Sequence, residues 1–342
     1  MNPLPMGFLT LSIYLTFSSS LFHLTHPLCH NNERSALLQF KQTLLIIECD
    51  IGYPKTASWN LEENSECCSW DGVKCNEDTG YVIELDLTWS CLQGSINSSS
   101  TLFNLVHLQS LSLSHNDFGY SQIPSAVKNL SKLSNLDLSH SNFSGQIPSE
   151  MLELSRLESL DLSANSLLLR QPSLKSVVEK LTKLKKLDLN WINISSSIPN
   201  NLGNLSSLTH LSLIECQLQG VIPSSLGNLS KLAFLDISSN EFLGDLPISI
   251  ANLASLQQLS VSSCQFSDQV QSSLKKREDQ GLESSTFAFD WKIVLTGFVS
   301  GLIVGVILGN EYFTKIVEWF ATNNLGWQLK IAIKRKTRGH RN

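Results

Sequence analysis

The chain has 342 residues, enough for two ordinary domains, with 42% hydrophobic and 16% charged residues. That balance excludes wholesale disorder. The formal net charge of −5 argues against a nucleic-acid binder, which shows a basic face.

Residues 1–28 read as a secretory signal peptide, because the apolar run GFLTLSIYLTFSSSLF ends just before a polar stretch beginning near Cys29. Six of the eight cysteines (Cys29, Cys49, Cys67, Cys68, Cys75 and Cys91) fall before residue 92, so residues 29–80 are expected to form a small disulfide-stapled unit. Cys49 and Cys91 can pair, but spacing alone assigns no partner.

Residues 81–268 repeat themselves. Aligned on an L-x-L pair, eight units begin at Leu85, Leu111, Leu136, Leu160, Leu187, Leu211, Leu235 and Leu259, spaced by 26, 25, 24, 27, 24, 24 and 24 residues. Most carry further leucines six and three residues earlier, and several close on G-x-I-P or a relative, at Gly145, Gly220 and Gly244. Alternation in L-x-L predicts a short strand with two leucines facing inward. One unit cannot bury them alone, so the units are expected to stack into a continuous spine of parallel strands. Five residues after the first strand leucine stand Asn116, Asn165 and Asn240, whose amides are suited to bonding turn backbone inside the stack. Ser90 and Ser141 substitute in part, and Ile192 does not, which predicts a locally weak fifth unit. Cys216 and Cys264 share that position two units apart, about 9.6 Å by strand spacing and beyond disulfide reach, so both are expected as buried free thiols.

Residues 269–290 form a mixed-charge juxtamembrane linker. Residues 291–310 contain IVLTGFVSGLIVGVILG, uncharged and at the lower limit for a membrane-spanning helix. Trp291 and Lys292 flank it outside, and Tyr312, Phe313, Trp319 and Phe320 inside. The tail, 311–342, carries Lys330, Lys334, Arg335, Lys336, Arg338 and Arg341, which places it in the cytosol. A cleaved signal and one span give a type I plasma-membrane topology with the N-terminal domain extracellular. Gly297, Gly301, Gly305 and Gly309 recur every fourth residue and form a stripe suited to close helix packing. Sequons at Asn97, Asn129, Asn142, Asn193, Asn204 and Asn228 lie between the two apolar runs, as N-glycosylation requires.

The segments CHNNERSALLQFKQ, ASWN and CCSWDGVKCNEDTGYVIELDL resemble the N-terminal cap of plant leucine-rich-repeat receptors. The repeats with G-x-I-P resemble the plant-specific repeat class. FDWKIVLTGFVSGLIVGVILGNEYFTKIVEWF resembles the membrane anchor of plant receptor-like proteins, the kinase-less class that includes fungal-effector immune receptors. The resemblance implies an α/β repeat fold, a right-handed leucine-rich-repeat solenoid with a stapled N-terminal cap, plus one transmembrane helix. It implies disulfides Cys29–Cys67 and Cys68–Cys75. It implies a cap helix over 32–46, with Ala36, Leu37, Phe40 and Leu44 on one face and Trp59 and Trp70 packed against it. Members of the class carry more repeats, a second cysteine-bearing cap and an acidic juxtamembrane run, so the chain reads as shortened.

The resemblance implies a receptor that binds an extracellular peptide or protein on its concave strand face. Lacking a kinase, it signals through an adaptor receptor-like kinase met through the transmembrane helix. Candidate ligand-binding residues on that face are His115, His140, Glu158, Lys185, Lys186, Trp191, His210, Glu215 and Phe234; the plain alternative is a solvated sheet face. Asp137, Asp161, Asp188 and Asp236 recur as part of the repeat and read as structural. Two other readings are a non-signalling decoy and a binding protein like the polygalacturonase inhibitors, against which the apolar run at 293–309 argues. A kinase needs a glycine-rich loop, H-R-D and D-F-G, and none is present. No catalytic residue, metal or cofactor is implied.

Overall fold

A computed structural model describes residues 28–47, 52–60 and 66–264. The expected signal peptide, Cys49, the linker, the span with its four glycines and the basic tail lie outside the described residues. Among the described residues no helix is long and apolar enough to cross a membrane.

The eight L-x-L segments are eight strands, and each pairs in parallel with the next. Their first leucines align from Leu85 through Leu111, Leu136, Leu160, Leu187, Leu211 and Leu235 to Leu259. A ninth strand, Val73–Cys75, pairs antiparallel with Val82–Asp86 and closes the sheet at the cap end. Both leucines of each pair are buried in the first six repeats, as the inward side of a two-residue alternation requires. Each buried leucine is worth roughly 1.5–3 kcal/mol. In the eighth repeat, the last described, Leu259 is 37% exposed.

Opposite the strands the chain runs through short 3-10 turns: Thr101–Asn104, Ser125–Asn129, Ser149–Glu153, Asn200–Asn204, Ser224–Asn228 and Ile248–Asn252. Five are led by the proline of the I-P or L-P pair, whose fixed φ starts the turn and whose missing N–H costs nothing there. The one 27-residue spacing gives room for a true helix, Leu174–Lys180, capped by Ser173 and burying Leu174, Val177 and Val178. Gly145, Gly220 and Gly244 of G-x-I-P sit at φ of 78 to 81°, a left-handed conformation that favours glycine.

The cap holds the two disulfides Cys29–Cys67 and Cys68–Cys75. Its four sulfurs lie within 4.8 Å of one another, but the two bonds occupy them and leave no thiolate for a metal. Cys91 is also disulfide-bonded. Trp59 and Trp70 are core residues, stacked 5.6 Å apart, with the Trp59 indole N–H donating to the Asp71 carbonyl. The cap helix is shorter than expected. It spans Asn31–Gln42 and buries Ala36, Leu37 and Phe40. Leu44–Ile46 then forms a strand antiparallel to Leu92–Gly94. The apolar run LLII there finds an open edge on the first repeat, and ladder pairing with it outweighs one more helical turn. Leu44 is buried in the strand.

The asparagine position behaves as the repeat predicts. Asn165 donates to the carbonyls of Leu138, Leu162 and Ser163 and accepts from the N–H groups of Ser141 and Phe143. Asn116 and Asn240 do the equivalent. Ser141 reproduces the donor half, bonding the Leu113 and Ser139 carbonyls. Ile192 is buried without a polar group, yet its surroundings are largely satisfied. The Cys216 thiol donates to Leu189 O, and Asn190 accepts from Ile214 N–H. Cys216 and Cys264 are both free. Burial pushes the Cys216 thiol up to about 12, so it is inert, while Cys264 is only half-buried because nothing described stacks beyond it.

Candidate strand-face site

In every repeat the residue four after the first strand leucine is left-handed. These residues are Trp89, His115, His140, Ala164, Trp191, Glu215, Ser239 and Ser263, with φ from 52 to 63°. Such φ values are uncommon for residues with a Cβ. The same turn in each unit throws these side chains into one column at the ends of the strands. Trp89 stacks on His115 at 3.8 Å and His115 on His140 at 4.5 Å, both nearly parallel. Ala164 interrupts the column. Trp191 then meets His140 edge-on at 6.4 Å, and its indole N–H donates to Glu215 at 3.1 Å. Trp89 and Trp191 are exposed.

A second array comes from the strands themselves. His210 stacks on Phe234 at 4.2 Å. Lys186 binds Asp161 at 2.9 Å, and Lys185 binds Glu158 at 2.6 Å. The recurring aspartates have a local task. Asp137, Asp161 and Asp236 each accept from the backbone N–H and hydroxyl of the serine two residues on, and Asp188 from the N–H of Asn190. They tie off the strand end, which is why they repeat.

Their crowding has electrostatic consequences. Burial, then the neighbouring Asp161 charge, raises Asp188 from 3.8 to about 6. Burial pulls Lys186 down, but its bond to Asp161 and the surrounding carboxylates outweigh this and raise it. Burial and the facing His140 lower His115. Burial and Lys186 lower His210.

The structure therefore brings His115, His140 and Trp191 into one column with Glu215, and Lys185, Lys186, Glu158, His210 and Phe234 into the adjoining strands. Sequence reasoning passed over Trp89, although it holds the column position of the first unit, four residues after Leu85. The sequons avoid this face. Asn129, Asn204 and Asn228 are exposed at the ends of the 3-10 turns. Asn142 is exposed, Asn193 half-buried beside the outer turns, and Asn97 exposed in its own turn, its side chain accepting from Ser99.

Strand ladder, buried asparagine column and stapled cap together define a leucine-rich-repeat protein. The family descriptions that match agree: a leucine-rich-repeat N-terminal domain over residues 30–76, leucine-rich repeats over 107–130 and 132–154, and a leucine-rich-repeat region over 160–277. Its homologues are plant receptor-like proteins, as the resemblance implied. Receptor-like protein 6 of Arabidopsis thaliana is 41% identical over 157 residues, covering 41% of this chain and 16% of that protein. Receptor-like protein 9DC1 of Solanum pimpinellifolium is 47% identical over 116 residues, covering 30% and 13%. The matched stretch thus spans less than a fifth of the length of these relatives.

Among solved structures, the chain is similar to PEPR1 in its complex with AtPEP1 (TM-score 0.57, 33% identity, 69% of this chain and 32% of that one). It is equally similar to the Arabidopsis receptor kinase HAESA, solved with the peptide hormone IDA and the co-receptor SERK1 (TM-score 0.57, 31% identity, 69% and 42%). A plant ice-binding protein also matches (TM-score 0.51, 25% identity, 70% and 88%), so the scaffold alone does not define what is bound.

Proposed function

We propose that the chain is a cell-surface receptor-like protein of plant defence that binds an extracellular peptide or protein on its strand face. The observation that carries this is the in-register array of exposed and half-buried rings and charges, from Trp89 to Glu215 and from Lys186 to Phe234. Aromatic side chains ringed by charge are what interface hot spots are made of. Homology to receptor-like proteins and likeness to receptor ectodomains solved with peptides support the reading.

In this reading residues 291–310 anchor the chain in the plasma membrane with the solenoid outside and the tail inside. The solenoid carries glycans at Asn97, Asn129, Asn142, Asn193, Asn204 and Asn228. The stripe Gly297, Gly301, Gly305 and Gly309 docks the helix of an adaptor receptor-like kinase, which supplies the catalysis. Replacing Gly301 and Gly305 by Leu keeps the span apolar but separates the helices. Co-precipitation of the adaptor kinase should fall in the double variant at equal surface abundance. Equal recovery from both forms would refute the partnership, and no recovery from either would favour a non-signalling decoy.

A further inference from the structure

The ring column has a gap. Repeats one, two, three and five each place a ring at the left-handed position, and repeat four places Ala164 there, between His140 and Trp191. Ala164 has φ 54°, within a few degrees of His115 and His140, so the backbone continues the column and only the ring is missing. The neighbouring rings have not closed the gap into a stack. Trp191 stands at 70° to His140 with centroids 6.4 Å apart, its N–H tethered to Glu215. A flat group sandwiched between two parallel rings needs them about 7 Å apart, and repeats three and five, two strands apart, supply roughly 9.6 Å at the backbone. Turning Trp191 parallel to His140 would open a slot for one planar group.

The charges around the slot select among planar groups. Asp161 and Glu158 are paired with Lys186 and Lys185. Asp137, Asp188 and Glu215 have no salt-bridge partner among the described residues. An anionic plane is repelled here, and a neutral ring leaves the carboxylates unused. A guanidinium is planar, stacks on aromatic faces and bonds carboxylates through its edge. An ammonium has the charge without the plane.

We propose that the gap above Ala164 is a subsite for an arginine side chain of the bound polypeptide, stacked between His140 and Trp191 and bonded at its edge by Glu215. This rests on the strand face being the binding surface.

The probe is methylguanidinium, added to the full chain in detergent with its seven tryptophans replaced biosynthetically by fluorotryptophan. Fluorine NMR then reads each indole, with Trp191 assigned by Trp191→Phe. Methylguanidinium should shift the Trp191 signal with half-saturation on the order of 10 mM, as two stacking faces together with one charge-assisted carboxylate bond warrant, and butylammonium should shift it severalfold less. Ala164→His fills the gap with the residue that repeats two and three carry at the same φ, so it is compatible with the fold. It should abolish the response, whereas Glu215→Gln should only weaken it. A full response in Ala164→His, or a silent Trp191 in the wild type at several times that concentration, would overturn the subsite. Neither result touches the receptor reading, which is tested separately by recovery of the adaptor kinase and by the signalling of strand-face variants.

Discussion

Two columns of residues adjacent in sequence have opposite fates. The fifth position after each first strand leucine faces inward, buried in six units and half-buried at Asn116 and Cys264, and is restricted to Ser, Asn, Ile and Cys. The fourth position faces out in a left-handed turn and ranges over Trp, His, Ala, Glu and Ser. The buried column must satisfy carbonyl and N–H groups that no water reaches, which only a few side chains do. The outer column need only tolerate its φ, and is free to vary in chemistry. On the strand-face reading proposed above, recognition is written one residue away from the fold, and the two are separable by mutation.

The largest expected effect is on the buried side. Asn165→Ala strands the carbonyls of Leu138 and Leu162 and the N–H groups of Ser141 and Phe143, while the Ser163 carbonyl keeps its bond from the His140 N–H. We expect a loss of about 4 kcal/mol in denaturant unfolding, from several unsatisfied buried groups at roughly 1–3 kcal/mol each with partial relaxation. Replacing Cys68 and Cys75 together by Ser should cost about 2–5 kcal/mol and loosen the cap end of the spine first, read by hydrogen exchange at Val82–Asp86.

A smaller effect is expected where the strands meet the outer column, and it depends on pH. Asp188 is raised from 3.8 to about 6, so ionising it opposes folding. That stability is present below about pH 4 and lost as pH rises through about 6. Asp188→Asn keeps an oxygen for the Asn190 N–H and removes the charge. The variant should be more stable than the wild type above about pH 7, by on the order of 1 kcal/mol after solvent screening at this partly exposed group. The advantage should vanish near pH 4. An advantage that grew toward low pH would contradict the crowding of Asp137, Asp161 and Asp188.

The L-x-L register made the eight parallel strands legible, because a two-residue alternation repeated eight times admits one way of burying its leucines, whereas the antiparallel strand Val73–Cys75 lies outside that register. The asparagine column was legible for the same reason. The Leu44–Ile46 strand was not, since an apolar run after a helix continues it unless a distant edge, here Leu92–Gly94, offers pairing. The expected weakness at Ile192 is softened by Cys216 and Asn190, which lie in and before the neighbouring repeat and bond across the stack. On the strand face, His115, His140 and Trp191 were legible as exposed residues. Their stacking was not, because it follows from a left-handed turn that the varied residues at that position do not advertise.

Trp191→Ser tests the separation of the two columns most directly. Serine occupies the same left-handed position in repeats seven and eight, at Ser239 and Ser263, so the turn accepts it. The variant should unfold within about 0.5 kcal/mol of the wild type, as an exposed substitution does. In plant cells the same variant, at equal surface abundance, should lose phosphorylation of the adaptor kinase in response to extracellular peptide. A stability loss like that of Asn165→Ala, or an undiminished phosphorylation response, would contradict the account.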